Sequence, residues 1–138
     1  MREKVDMLVD DSVSFRMKRV KQRDTAPELV VRKLLFAKGY RYRVHRDDLP
    51  GSPDIVFPSR RKVVFVHGCF WHGHEKCTRA SLPKTRTQYW SDRVAENRKR
   101  DVRSISALER LGWSVLVVWE CETKNVRSLA ERLSGFLQ

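Results

Sequence analysis

The sequence predicts an α/β sandwich, a mixed β-sheet flanked by helices. Two observations carry that expectation. Short runs rich in β-branched and aromatic residues, such as Val63-Val64-Phe65-Val66 and Val115-Leu116-Val117-Val118-Trp119, read as buried strands. Longer stretches place apolar residues at helical spacing and end at glycine. The resulting order is α-β-β-β-α-β-α.

Thr25-Ala26-Pro27-Glu28 opens the first helix as a capping box, with threonine at the cap, glutamate three residues on and proline in the first turn. Leu29, Val30, Leu34 and Leu35 supply its apolar stripe, and Gly39 stops it. A cap by itself accounts for Glu28. Tyr40, Tyr42 and Val44 alternate with Arg41 and Arg43, as on a half-exposed strand. Strands at about residues 54–58 and 62–67 follow, joined by a hairpin turn around Pro58-Ser59-Arg60-Arg61. A long helix then runs from about Thr87 to Leu111, carrying Trp90, Val94, Ile105, Leu108 and Leu111, with Gly112 ending it. Strand Ser114 to Trp119 comes next. A last amphipathic helix carries Val126, Leu129, Leu133 and Phe136.

The most informative stretch is His67-Gly68-Cys69-Phe70-Trp71-His72-Gly73-His74-Glu75-Lys76-Cys77, which holds three of the four histidines and two of the three cysteines. It follows directly on a predicted buried strand, where a rigid scaffold can hold a reactive loop. Cys69, His74 and Cys77 have the short spacings that let one loop wrap a tetrahedral Zn²⁺, and Cys121 is the candidate fourth ligand. An odd cysteine count argues against a disulfide framework. The alternative is that Cys69 and Cys121 are ordinary buried thiols and His74 a surface residue.

His67 and His72 are surplus to such a metal. Imidazole titrates near neutral pH and serves as general acid, general base or hydrogen-bond donor to phosphate. The carboxylate to pair with them is Asp54, in Gly51-Ser52-Pro53-Asp54-Ile55-Val56-Phe57. An acid entering an apolar strand suits a hard cation such as Mg²⁺, although a turn or cap role is the commoner use. Asp54 and His67 are expected to meet only if the two strands diverge or bend.

These residues resemble a known family. Pro53-Asp54, then His67-Gly68-Cys69-Phe70-Trp71-His72, then Trp119-Glu120-Cys121 are similar to the very short patch repair (Vsr) DNA mismatch endonucleases, over about Met17 to Cys121. The resemblance implies a three-layer α/β/α restriction-endonuclease-like mixed sheet with a structural zinc site. It implies an enzyme that uses Mg²⁺ to nick one strand beside the thymine of a T:G mismatch, as in repair of deaminated 5-methylcytosine. Asp54 and the Val66 carbonyl would bind Mg²⁺, His72 would be general base, and His67 and Glu28 would assist. Zinc would fall on Cys69, His74, Cys77 and Cys121, in agreement with the spacing argument. Phe70, Trp71 and Trp90 would intercalate, Met17 would wedge from the other groove, and Arg93 and Asn97 would sit at the mismatched pair. Asp101, on the same helix face, would orient His67. The chain departs from the wider nuclease pattern, because the strand Lys62 to His67 has neither the second acid nor the lysine in the expected place. Val66 stands where threonine is expected.

Composition agrees with a nucleic-acid substrate. The 138 residues carry a formal net charge of +12, with pI ≈ 10.2, which attracts phosphate backbones and makes binding salt dependent. Basic runs fall at Arg16 to Arg19, Arg60-Arg61-Lys62, Lys84 to Arg86 and Arg98 to Arg100. No apolar stretch approaches the roughly 20 residues needed to cross a bilayer, and no signal peptide opens the chain, so a cytoplasmic, nucleoid-associated protein is expected. Residues 1–16 read as a flexible arm and 17–138 as one endonuclease domain, monomeric by default, with double-stranded DNA and mismatch-repair proteins as partners. Two other readings compete: a related nuclease of restriction or defence that cuts unmismatched DNA, and a non-catalytic zinc-stabilised DNA-binding module.

Overall fold

The computed structural model describes residues 24–138. The proposed arm 1–16 and the residue Met17 lie outside the described residues. Within them, helix α1 (Ala26–Ala37) precedes strands β1 (Arg43–Val44), β2 (Ile55–Phe57) and β3 (Lys62–His67). Helix α2 (Thr87–Arg110), strand β4 (Ser114–Trp119) and helix α3 (Val126–Leu137) complete the order. The predicted succession of elements is therefore present, in a four-stranded mixed sheet of order β1-β2-β3-β4.

β1, β2 and β3 pair antiparallel, with Val44 opposite Ile55 and Ile55 opposite Val64. β3 and β4 pair in parallel, from Lys62 opposite Ser114 to His67 opposite Trp119. Parallel neighbours need a long crossover, and α2 supplies it. Alternate residues of each strand then face opposite sides. Ile55, Phe57, Val64 and Val118 pack with Val31 and Leu35 of α1 and with Leu129, Leu133 and Leu137 of α3. Val56, Val63 and Phe65 pack on the other side with Leu108 of α2 and with Trp113. Helices thus cover both faces of a sheet whose central strands are apolar on both sides.

Local chemistry explains most boundaries. Thr25 caps α1, its hydroxyl accepting from the Glu28 N–H at 3.3 Å. The expected reciprocal bond is absent, because Glu28 Oε1 accepts from the Asp24 N–H at 3.2 Å, one residue before the cap. The buried stripe of α1 is Val31 and Leu35 with Glu28, whereas Leu29 is 41% exposed. Gly112, at φ 93°, ends α2 in a left-handed turn that few residues other than glycine adopt readily. There the Trp113 N–H reaches the Leu108 carbonyl at 3.0 Å and the chain reverses into β4.

Two expectations are corrected. The ladder covers only Arg43–Val44 of the predicted strand Tyr40 to Val44. Tyr40 and Tyr42 instead meet Phe57 edge-on at 6.3 Å, and His45 turns to φ 53°. The basic run Arg60-Arg61-Lys62 is engaged at helix ends. Arg60 donates to the Leu137 carbonyl at 2.9 Å, Lys62 to the Phe136 carbonyl, and Arg61 to the Leu111 carbonyl at 2.8 Å. Cations complement the partial negative charge at a helix C-terminus, so this run holds α2 and α3 to the β2–β3 turn.

Leu133→Ala should destabilise the protein by about 2–5 kcal/mol through the cavity it leaves. Phe36→Ala, at a side chain 77% exposed, should cost under about 0.5 kcal/mol, with both read by urea unfolding.

Candidate active site

Asp54 immediately precedes β2, and β2 runs antiparallel to β3, so the start of one strand lies at the end of the other. The Val66 N–H donates to Asp54 Oδ2 at 2.7 Å, which pins the carboxylate and leaves Oδ1 for another partner. Burial raises the Asp54 pKa to about 6, and the charge of nearby Glu28 adds to the rise. The Val66 N–H, His45 and His72 pull the other way.

His67 closes β3, and the tight turn after it folds His72 back, with the His72 N–H donating to the Gly68 carbonyl at 3.1 Å. The two imidazoles stack with centroids 3.8 Å apart and planes 3° from parallel. His67 is buried, and that burial, followed by the proximity of His72, lowers its pKa to about 3. Asp101 of α2 contacts His72 rather than His67: Oδ2 lies 2.6 Å from His72 Nδ1, while Oδ1 lies 3.9 Å from His67 Nε2. An Nδ1–H donated to Asp101 leaves the lone pair on His72 Nε2.

Glu28 is buried at 1% exposure, and both of its oxygens are engaged. Oε1 accepts from the Asp24 N–H, and Oε2 lies 3.2 Å from Arg32 Nη1 and 2.8 Å from His45 Nε2. Sequence reasoning passed over His45. The available signal was a fourth histidine directly after a predicted strand.

Cys69, His74, Cys77 and Cys121 come together, their ligand atoms all within 4.8 Å of one another. His74 Nδ1 is 3.6 Å from Cys69 Sγ and 3.5 Å from Cys121 Sγ. The parallel ladder does this: His67 is paired with Trp119, so two residues further on Cys69 and Cys121 leave their strands side by side. Burial and the neighbouring thiols push the Cys69 pKa up to about 12. Trp119 joins this cluster to the histidine pair, stacking on His74 at 4.1 Å and meeting His67 edge-on at 5.3 Å.

Phe70 and Trp71 are half-buried and meet Trp90 edge-on at 5.8 and 5.9 Å. Trp90 is 1% exposed, so in this structure it is the floor beneath the loop aromatics and not an exposed wedge. Asn97 Nδ2 donates to the Trp71 carbonyl at 2.8 Å and ties the loop to α2. Arg93 lies over the Tyr89 ring at 5.8 Å.

A family model described as "DNA mismatch endonuclease Vsr" matches residues 5–79, a span that includes Asp54, His67, Cys69, His72, His74 and Cys77. The chain belongs to the Vsr family. It is 52% identical over 132 residues to "Type II nicking enzyme V.XorIIP" of Xanthomonas oryzae pv. oryzae, covering 96% of each. It is 43% identical over 129 residues to "DNA mismatch endonuclease Vsr" of Escherichia coli strain K12, covering 90% of this chain and 82% of that one. It is also 42% identical over 133 residues to "Type II nicking enzyme V.NmeAIP" of Neisseria meningitidis serogroup A, covering 96% and 94%. Vsr membership makes the protein a DNA endonuclease. Among the described residues, no helix is long and apolar enough to cross a membrane.

A carboxyl with a raised folded-state pKa favours the folded protein while protonated and loses that contribution as pH rises. For Asp54 the window runs from 3.8 to about 6. In chelator, Asp54→Asn should match the wild type in urea unfolding near about pH 4 and exceed it above about pH 6.

Proposed function

We propose that this protein nicks one DNA strand 5′ of the thymine in a T:G mismatch, using Mg²⁺, in short-patch repair of deaminated 5-methylcytosine. The observation that carries the reading is the Asp54 carboxylate pinned on the Val66 N–H at the end of β3, where the next residue begins the His67–His72 stack held by Asp101. The name of the E. coli relative supports the mismatch as substrate.

A hard cation suits Asp54, a carboxylate with one oxygen bound to the Val66 N–H and a charge that burial disfavours. Asp54 and the Val66 carbonyl would hold Mg²⁺, which when bound supplies charge stabilisation at the scissile phosphate. His72 Nε2 takes a proton from the attacking water while Asp101 holds Nδ1. Burial keeps His67 neutral, so the stacked pair carries a single positive charge once His72 is protonated. Attack at phosphorus breaks the bond to the 3′ oxygen and leaves 5′-phosphate and 3′-hydroxyl ends. Glu28 assists from its buried position beside Asp54. On the architecture, helices over both faces of the mixed sheet support the restriction-endonuclease-like, three-layer reading.

The cysteine cluster suits zinc. Tetrahedral bonds of about 2.3 Å to sulfur and 2.0–2.1 Å to nitrogen put the two donors about 3.5 Å apart. The His74–Cys69 and His74–Cys121 separations are 3.6 and 3.5 Å. Zn²⁺ would also favour the thiolate at Cys69, whose proton burial otherwise retains.

For recognition, Phe70 and Trp71 would enter between base steps at the mismatch, where pairing is already weak. Trp90 would support them from below and intercalate only if the cluster opens. Arg93 and Asn97 would lie at the mismatched pair, and Met17, with the arm 1–16 before it, would reach the other groove. The protein would act as a monomer in the cytoplasm, associated with the nucleoid and working beside mismatch-repair proteins.

Asp54→Ala and His72→Ala should each reduce nicking by at least about 10³-fold while mismatch binding stays within a few-fold. A nicking assay on T:G and fully paired duplexes, with and without Mg²⁺, tests the whole reading. Equal cutting of both duplexes would assign the chain to nucleases of unmismatched DNA, and binding without cutting would make it a DNA-binding module. Cys69→Ser and Cys121→Ser should each lose zinc by elemental analysis and lose cooperative unfolding, as a structural site requires. Unchanged zinc in both would remove these residues from the ligand set.

A further inference from the structure

His45 has no part in the mechanism above, yet three independent observations place it against the reacting acids. Its backbone lies at φ 53°, in the left-handed region, which costs a residue bearing a β-carbon about 1–2 kcal/mol. Such a conformation persists where the surroundings enforce it, and it concentrates at functional sites. Its N–H donates to the Asp54 carbonyl at 3.2 Å. Its half-buried ring places Nε2 2.8 Å from Oε2 of Glu28, and 3.7 Å from the Asp24 carboxylate. One residue therefore grips the main chain of one half-buried acid and the side chain of a buried one.

The need for such a grip follows from electrostatics. Glu28 lies near enough to Asp54 for each charge to oppose the other. A buried carboxylate also requires donors. Arg32 and the Asp24 N–H satisfy Glu28 from the α1 side, whereas His45 connects it to the Asp54 end of β2.

We propose that His45 is a positioning residue of this nuclease: its left-handed turn and its ring Nε2 lock the Glu28 carboxylate against Asp54 and hold the two acids at the spacing the divalent-cation site requires. The inference rests on the metal-dependent reading of Asp54 given above. His45 does not touch the scissile phosphate. It acts through Glu28.

Two substitutions separate reach from backbone. Asparagine tolerates left-handed φ, but its amide is too short to reach Glu28. Glutamine places an N–H at nearly the distance of Nε2. The test is performed on the full chain with zinc loaded, by two measurements. Mn²⁺ binding without DNA is followed by electron paramagnetic resonance, and single-turnover nicking of a T:G duplex is measured at saturating protein. His45→Asn should weaken Mn²⁺ binding and slow nicking by about tenfold or more, the usual effect of losing a partner behind a metal ligand. Its melting temperature and duplex affinity should stay close to wild type. His45→Gln should recover both quantities to within about threefold of wild type. Adding Glu28→Gln to His45→Asn should cause little further loss, since the two act as one unit.

The proposal is overturned if His45→Asn leaves Mn²⁺ affinity and nicking near wild type, or if His45→Gln is as impaired as His45→Asn. Asp54→Ala, run alongside, reports on the underlying reading: Mn²⁺ affinity and nicking that survive its loss would refute the Asp54 site itself, whatever the His45 series shows.

Discussion

The parallel pairing of β3 with β4, from Lys62–Ser114 to His67–Trp119, sets the position of the histidine stack and the cysteine cluster. Both strands are apolar along most of their length, so burying them against helices on either face holds the pair in one register. At its carboxyl end two loops emerge side by side, bringing Cys121 to Cys69 across a gap of many residues in sequence. Antiparallel β2 begins at that same end and delivers Asp54 to Val66. A slip of one residue would turn His67 to the other face and separate it from Asp101.

The site is notable for how few of its charges are left without a partner. Asp54 leans on a backbone N–H, Glu28 on three donors, and His72 on Asp101. Each bond fixes a side chain that would otherwise lose rotamer freedom during the reaction, which is how a site on loops acquires the stiffness of its scaffold. Trp119 extends this order by touching both the histidine stack and the cysteine cluster. A rearrangement of the cysteine cluster would therefore be felt at His67, through one shared indole. The net charge of +12 is likewise not a uniform coat, since Arg60, Arg61 and Lys62 hold helix ends to the sheet.

Much of this was legible in the residues themselves. Strand and helix order followed from period and from glycine stops, because burial of Val63 to Val66 or Leu129 and Leu133 is a property of local pattern. The cysteine–histidine cluster also announced itself, since Cys69, His74 and Cys77 lie within one loop and only one other cysteine exists. Asp54 was identifiable as an acid entering an apolar run. Its bond to the Val66 N–H was not, because that depends on the antiparallel register that lays the start of β2 beside the end of β3.

Local pattern therefore determined which elements form, which side chains are suited to metal or proton chemistry, and that the chain is strongly basic. Tertiary structure decided the pairings: Asp101 hydrogen-bonded to His72 and 3.9 Å from His67, the Glu28 carboxylate with Asp24 and His45, Trp90 beneath Phe70 and Trp71. The reason is physical. Periodicity and capping act within a few residues, whereas hydrogen bonds and ring contacts between α1, the loops and α2 depend on distances that only the assembled sheet sets.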